Sequence, residues 1–266
     1  MRLLSGVCLI STTLYIRLAK GKFSGVMKMS WTGAGCRVLG DEMGLTDFDV
    51  IRKRAEESKG KEGLAKRISD YFDRPDKSFP SDDRVLAEMT RYVFAAGISR
   101  KVVEAKWQGF EEAFHGFDPN FLNLQPDDYW HDLLGDKRII RHGAKINATR
   151  TNAAFVSDLG KEHGSAARYL LDWPARDQIG LLDFIVKRGD RLGGMTGQYF
   201  LRGIGKDNFV ISQDVLACLK AAGVAITGDG SGKAERRAIQ QAFNTWAEQS
   251  GWPMSHISLT CALSIG

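Results

Sequence analysis

The densest chemistry in this chain lies in Lys187-Arg188-Gly189-Asp190-Arg191-Leu192-Gly193-Gly194-Met195-Thr196-Gly197-Gln198-Tyr199-Phe200-Leu201-Arg202. Its spacing predicts a helix, a tight glycine hairpin and a second helix. Glycines let a backbone approach an anion with no Cβ in the way, and a helix N-terminus presents unpaired N–H groups. Gly193, Gly194 and Thr196 are therefore the expected phosphate-binding positions. Lys187, Arg188 and Arg191 would add salt-dependent attraction to a phosphate chain. An ordinary turn between two helices is the alternative reading of the same glycines.

A lone acid follows in Phe209-Val-Ile-Ser-Gln-Asp214-Val. A carboxylate can stabilise positive charge that grows on a reacting carbon, and it can orient water. Asp214 is the first choice for that role, and Glu88 is the fallback. The competing reading has Ser212 or Asp214 capping a helix through Ala222, and Glu88 on a solvated helix face. Tyr92, Trp107 and Tyr199 are candidate walls for a flat ring, although aromatics at helical spacing also build cores. His115 and His142 read as structural residues. Thr227-Gly-Asp-Gly-Ser-Gly-Lys233-Ala234 departs from the phosphate-loop pattern at both ends and reads as a flexible turn into a helix.

These residues need a frame. The chain has 266 residues, 43 % of them hydrophobic and 26 % charged, which suits a soluble globular protein with a core of its own. A net charge of +5 favours a polyanionic partner. Cys8, Cys36, Cys218 and Cys261 lie far apart with no zinc-finger spacing, so reduced thiols are expected. The broken apolar run in residues 1–17 is too short to span a bilayer. Met27 and Met29 offer alternative starts, which leaves the presence of residues 1–28 open.

Residues 1–44 are rich in Gly, Ser and Thr without a sustained period, and read as a partly disordered extension. From residue 45 the pattern turns helical. Helices broken at Gly60 and Gly63 are expected over 47–72, then one from the Ser81-Asp82-Asp83 cap to Ala96 and one from Ser99 to Phe114. Others are expected near 127–134, 145–160, 164–172, 178–188, 195–203, 212–222 and 233–250.

Ala96-Gly97-Ile98-Ser99 and Phe110-Glu-Glu-Ala-Phe114-His115-Gly-Phe117-Asp118-Pro119 resemble the DNA-3-methyladenine glycosylase I family, with its AGLSW turn, lysine-bearing helix and FHxFDP. Arg138-Ile-Ile-Arg141-His142-Gly-Ala-Lys145-Ile146, followed by Asn152-Ala153, is similar to the family's IIRHxxKI…NA stretch. Lys187 through Gly194 with Tyr199 is similar to its KRGFKFVG…Y hairpin. The stretches occur in the family's order over roughly residues 84–205. Asp207 to Leu219 resembles the segment that bears the catalytic Asp in the wider helix-hairpin-helix superfamily, where Ser212 or Gln213 could also hold the reference position.

The resemblance implies an all-α, two-lobed helix-hairpin-helix DNA glycosylase fold over 45–266, with its hairpin at 189–194. It implies a hydrolase that removes alkylated bases such as 3-methyladenine from double-stranded DNA in base excision repair. Such a base must leave the duplex before it is cut. The chain departs from the family at two pocket positions: Tyr92 stands where the family has a glutamate, and Arg100 where it has an aromatic residue. It also lacks the Cys/His pair of the family's zinc clip, so no metal or cofactor is expected. Lys206 is the nearest approach to a lyase lysine, and the expectation is a monofunctional enzyme. A cytoplasmic, nucleoid-associated monomer without membrane attachment completes the reading. The rivals are a non-catalytic DNA-binding protein that kept the hairpin, and a glycosylase for a different lesion.

Overall fold

The computed structural model describes the backbone of residues 13–17, 26–32 and 35–38, and residues 44–72 and 80–265 in full. The chain divides into two compact units, Met1–Thr46 and Asp47–Gly266. The first holds three strands, β1 (Thr13–Arg17), β2 (Val26–Thr32) and β3 (Gly35–Val38), in an antiparallel sheet of order β1-β2-β3. Thr13 pairs with Ser30, and Met29 with Val38. This differs from the patternless extension expected there. The segments are short, but their β-branched and aromatic content (Thr-Leu-Tyr-Ile-Arg) suits strands.

The second unit consists of helices joined by loops, with no strand among its described residues. Its helices are α1 (Phe48–Lys59), α2 (Lys61–Phe72), α3 (Asp82–Ala95), α4 (Arg100–Ala105), α5 (Trp107–Ala113), α6 (Pro119–Asn123) and α7 (Asp127–Asp132). There follow α8 (Gly143–His163), α9 (Ala166–Asp172), α10 (Gln178–Arg188), α11 (Gly194–Gly203), α12 (Gln213–Ala221), α13 (Lys233–Ser250) and α14 (Met254–Leu263). Gly60, at φ 76°, separates α1 from α2 as its position suggests, whereas Gly63 lies inside α2 and breaks nothing. The helix expected over 99–114 is split at Lys106. The C-terminal α14 escapes periodicity because it is apolar or small nearly all round and is buried on several faces.

Two apolar centres organise the unit. The larger surrounds α3 and α8, with Leu86, Met89, Val93 and Phe94 packed near Ile146, Phe155 and Val156, and it extends into α10 and α11. The smaller joins α1 to the C-terminal helices, where Phe48 meets Trp246 and Phe209 stacks on Phe243. This gives the two-lobed helical arrangement.

Buried polar side chains fix the helix ends. Lys145 on α8 donates to Phe94 O at 2.9 Å and Ala96 O at 2.6 Å, satisfying carbonyls at the C-terminus of α3. Ser81 makes no side-chain cap for α3. Asp82 instead crosses to α9, accepting from Ala166 N at 3.0 Å, Ala167 N at 2.9 Å and Ser165 Oγ at 2.9 Å. The expected local cap is therefore a tertiary clasp between α3 and α9.

Candidate DNA-binding and base-recognition site

The hairpin between α10 and α11 is built from close approaches. Gly189 ends α10, its N–H bonded to Ile185 O at 2.9 Å. A Cβ on Gly197 would fall 2.2 Å from Leu192 O, so only glycine lets α11 fold back this tightly. Leu192 is buried beneath the turn. Asn152 of α8 clasps the turn: its Oδ1 accepts from Asp190 N at 2.8 Å and its Nδ2 donates to Asp190 O at 3.2 Å. Arg191 takes a left-handed φ of 57° and donates through Nε to Ala144 O at 3.3 Å. The result is a fixed turn whose Gly193, Gly194 and Met195 are exposed. No side chain caps α11, so its first-turn N–H groups have no side-chain partner from the cap, and half-buried Thr196 lies beside them.

The flanking cations divide. Lys187 and Arg191 are exposed beside the turn. Arg188 is engaged bidentately by Glu162 at 2.7 and 2.9 Å, and its guanidinium lies over Phe155 and Phe184. Arg202 is buried, donating to Asn208 O at 2.8 Å, and belongs to the packing beneath α11.

Farther along α11 lies a tyrosine pair. Tyr199 faces Tyr92 of α3 in a nearly parallel arrangement, with centroids 6.2 Å apart and planes 10° from parallel. Burial raises both phenols above their ordinary pKa, with Arg100 opposing at Tyr92. The Arg100 guanidinium lies 5.4 Å from the centre of the Tyr92 ring. Tyr71 of α2 sits close enough to bear on both phenols, and Arg202 lies 5.7 Å from its ring. Glu88 bears electrostatically on the Tyr92 phenol and also pairs with Arg91 at 3.3 Å. Gly203 is where α11 comes closest: an added Cβ would meet Tyr92 Cε2 at 2.6 Å and Glu88 Oε2 at 2.8 Å. Tyr92, Tyr199 and Glu88 are thus brought together, and Tyr71 is a neighbour that the sequence analysis does not single out.

Trp107 belongs elsewhere. Its ring stacks on Phe110 and Phe117, its Nε1 donates to Glu111 at 2.8 Å, and Arg91 covers its face at 4.0 Å. It is a member of an aromatic stack that stiffens α5. His115 lies against Phe121, with ring centres 4.4 Å apart and planes tilted by 45°, and His142 provides the N-cap backbone of α8.

Asp214 lies in the first turn of α12, exposed and without a hydrogen bond or ion pair among the described residues. The cap of that helix is Ser212, whose Oγ accepts from Val215 N at 3.3 Å. The approach to Asp214 is tightly held. Gln198 O accepts from Asn208 Nδ2 at 2.9 Å, and Gln198 Oε1 from Ile211 N at 2.6 Å. Gln178 exchanges two bonds of 2.7 Å with Phe209. The α11 segment that carries Tyr199 therefore also sets where α12 begins.

Lys206 is buried, donating to Leu171 O and Trp173 O, and so satisfies the end of α9. The glycine loop at 227–232 is filled from within: Glu235 accepts from Thr227 N at 2.8 Å, Gly228 N at 2.7 Å and Gly230 N at 3.1 Å. Among the described residues, no group of three or more His, Cys, Asp or Glu is placed to hold a metal ion, and no helix is long and apolar enough to cross a membrane.

Residues 64–180 match the family model of methyladenine glycosylases. Among solved structures, a 3-methyladenine DNA glycosylase I is 22 % identical, covering 55 % of this chain and 89 % of that one, with a TM-score of 0.43. The 3-methyladenine DNA glycosylase I of Staphylococcus aureus is 19 % identical, with 57 % and 91 % covered and a TM-score of 0.44. An 8-oxoguanine glycosylase/lyase of Methanocaldococcus jannaschii, solved with DNA containing 8-oxoguanine, is 14 % identical, with 80 % and 95 % covered and a TM-score of 0.45.

Proposed function

Residues 64–180 carry the sequence pattern of the methyladenine glycosylase family, and we propose on that premise that this chain is a DNA glycosylase that hydrolyses the N-glycosidic bond of alkylated bases such as 3-methyladenine. The observation that carries the reading is the hairpin held by Asn152, with the uncapped start of α11 on the same helix as Tyr199 of the tyrosine pair. Gly194 and Tyr199 are five residues apart, about 7.5 Å along a helix axis. A phosphate on the hairpin would thus lie within a nucleotide's reach of the tyrosine pair.

In this reading Gly193, Gly194 and Thr196 bind a backbone phosphate, and Lys187 and Arg191 add attraction without sequence choice. Arg188, tied to Glu162, supports the end of α10 instead. The extruded base stacks against the Tyr92–Tyr199 pair, since an aromatic face holds any flat ring once it has left the duplex. Alkylation at a ring nitrogen makes the base cationic and a good leaving group, so one carboxylate suffices. Asp214 supplies it, stabilising the sugar cation and orienting water. Lys206, committed to two carbonyls, takes no part in a lyase step. The protein acts on double-stranded DNA as a cytoplasmic monomer.

The test is release of free base from methylated duplex DNA by the wild type and by Asp214→Asn. The expected result is release by the wild type, a fall of about 10²–10³-fold in the variant, and DNA affinity unchanged in both. Equal release by both would transfer the role to another carboxylate, Glu88 first. The exposed and unbonded state of Asp214 favours one rival, a DNA-binding protein without catalysis. Salt-sensitive binding with no release by either form would overturn release of alkylated bases and favour that rival or a glycosylase for a different lesion.

A further inference from the structure

We infer that the loop between α7 and α8 is a second DNA-contacting element, in which Arg141 and Lys137 take duplex phosphates beside those held by the hairpin. The inference rests on the DNA-binding part of the reading above and needs none of its catalysis.

The loop backbone is held from within. Ile139 is buried in the larger core and anchors it there. Asp136 Oδ1 accepts from Arg138 N at 2.8 Å, which closes a turn. Lys106, at the split between α4 and α5, donates through Nζ to Lys137 O at 2.7 Å. An added Cβ on Gly109 of α5 would collide with Arg138 O, so the loop lies directly against that helix. His142 N donates to Ile140 O at 2.9 Å and leads the chain into α8. Side chains on this loop therefore start from fixed positions.

Its cations divide as those of the hairpin do. Arg138 is committed, with Nη2 at 2.7 Å from Asp136 and Nη1 at 3.8 Å from Glu112. Lys106 is spent on a carbonyl. Lys137 and Arg141 are exposed, and neither side chain has a hydrogen bond or ion pair among the described residues. The acids nearest in the loop and in α5 already face Arg138, so these two charges act outward and favour a polyanion.

Their place in the fold names the polyanion. Arg191 of the hairpin donates to Ala144 O at 3.3 Å, and Ala144 follows Arg141 by three residues. Three residues span at most about 11 Å when fully extended. The exposed cations of the hairpin, Lys187 and Arg191, thus continue into Arg141. Duplex DNA carries one charge per about 1.7 Å of its axis, so a duplex seated on the hairpin brings further phosphates over that distance. Such contacts fix the register of the protein on the duplex without reading its sequence.

The experiment is the salt dependence of binding to undamaged duplex DNA, followed by fluorescence anisotropy with the full-length chain. Arg141→Ala and Lys137→Ala should each lower the slope of log K against log salt by about one, and the double variant by about two. Arg138→Ala should leave the slope unchanged. Hydroxyl-radical footprinting should show a shorter protected stretch for the double variant than for the wild type, and circular dichroism should show that all variants fold. An unchanged slope in the double variant, while Lys187→Ala and Arg191→Ala lower it, would overturn this inference alone. Slopes unchanged in all of them would overturn DNA binding by the hairpin and this inference with it.

Discussion

Asn152 holds both polar groups of one peptide residue in the hairpin, accepting from Asp190 N at 2.8 Å and donating to Asp190 O at 3.2 Å. The amide thereby substitutes for a backbone partner that the turn cannot supply itself. Asn152 is fully buried on α8, so the turn is referenced to the central helix of the larger lobe. Asn152→Ala leaves two backbone groups to find water. The expected cost is about 2 kcal/mol of stability and roughly a tenfold loss of DNA affinity, about 1.4 kcal/mol. Denaturant unfolding and fluorescence anisotropy with duplex DNA measure the two. Unchanged affinity at reduced stability would remove the hairpin from the DNA interface.

At Gly203 two effects of opposite sign compete. An alanine there improves helix propensity by about 1 kcal/mol. Its Cβ would also lie 2.6 Å from Tyr92 Cε2 and 2.8 Å from Glu88 Oε2, and such overpacking costs about 1–3 kcal/mol. We expect Gly203→Ala to be destabilised by about 1 kcal/mol and to release base more slowly, because Tyr92 must shift from its partner Tyr199. A variant that is more stable and fully active would show that the two side chains yield freely, and that the Tyr92–Tyr199 spacing does not matter.

The cations around the hairpin should separate by salt dependence. Each phosphate contact contributes about one unit to the slope of log K against log salt. Lys187→Ala and Arg191→Ala should each lower that slope by about one. Arg188→Ala should leave it unchanged, and its loss of stability should stay within about 1 kcal/mol, as the Glu162 partner is partly exposed. An Arg188 effect as large as that of Arg191 would mean that the Glu162 pair opens on binding DNA.

Much of this site is legible in the sequence. The hairpin glycines, the aromatic pair and the α10 to α12 order follow from spacing and from motifs that also carry the family resemblance. What stays hidden depends on partners distant in the chain. Nothing local tells Arg188 from Arg191, because Glu162 lies on another helix. Trp107 and Tyr199 look alike as aromatics at helical spacing, but only packing sends one into a stack with Phe117 and the other opposite Tyr92. Asp82 reads as a local cap and serves α9 instead. The α14 helix gives no periodic signal, since burial on several sides removes the polar face that would mark it.

The glycine loop at 227–232 allows a pH prediction. Hydrogen bonds from the Gly228 and Thr227 N–H groups hold the Glu235 carboxyl below its ordinary value of 4.5. A carboxyl lowered in the folded state adds stability above its unfolded pKa and loses it as pH falls through the folded value. The loop should therefore keep its order at neutral pH and loosen only below 4.5, when the carboxylate takes up its proton. Amide chemical shifts of Thr227, Gly228 and Gly230 followed by NMR should titrate together with a midpoint under 4.5, and Glu235→Gln should abolish that transition. Because the carboxylate already occupies these N–H groups, inorganic phosphate at neutral pH should leave the same resonances unmoved. A midpoint at or above 4.5, or phosphate-induced shifts in the wild type, would show that the loop is open to anions rather than closed by its own glutamate.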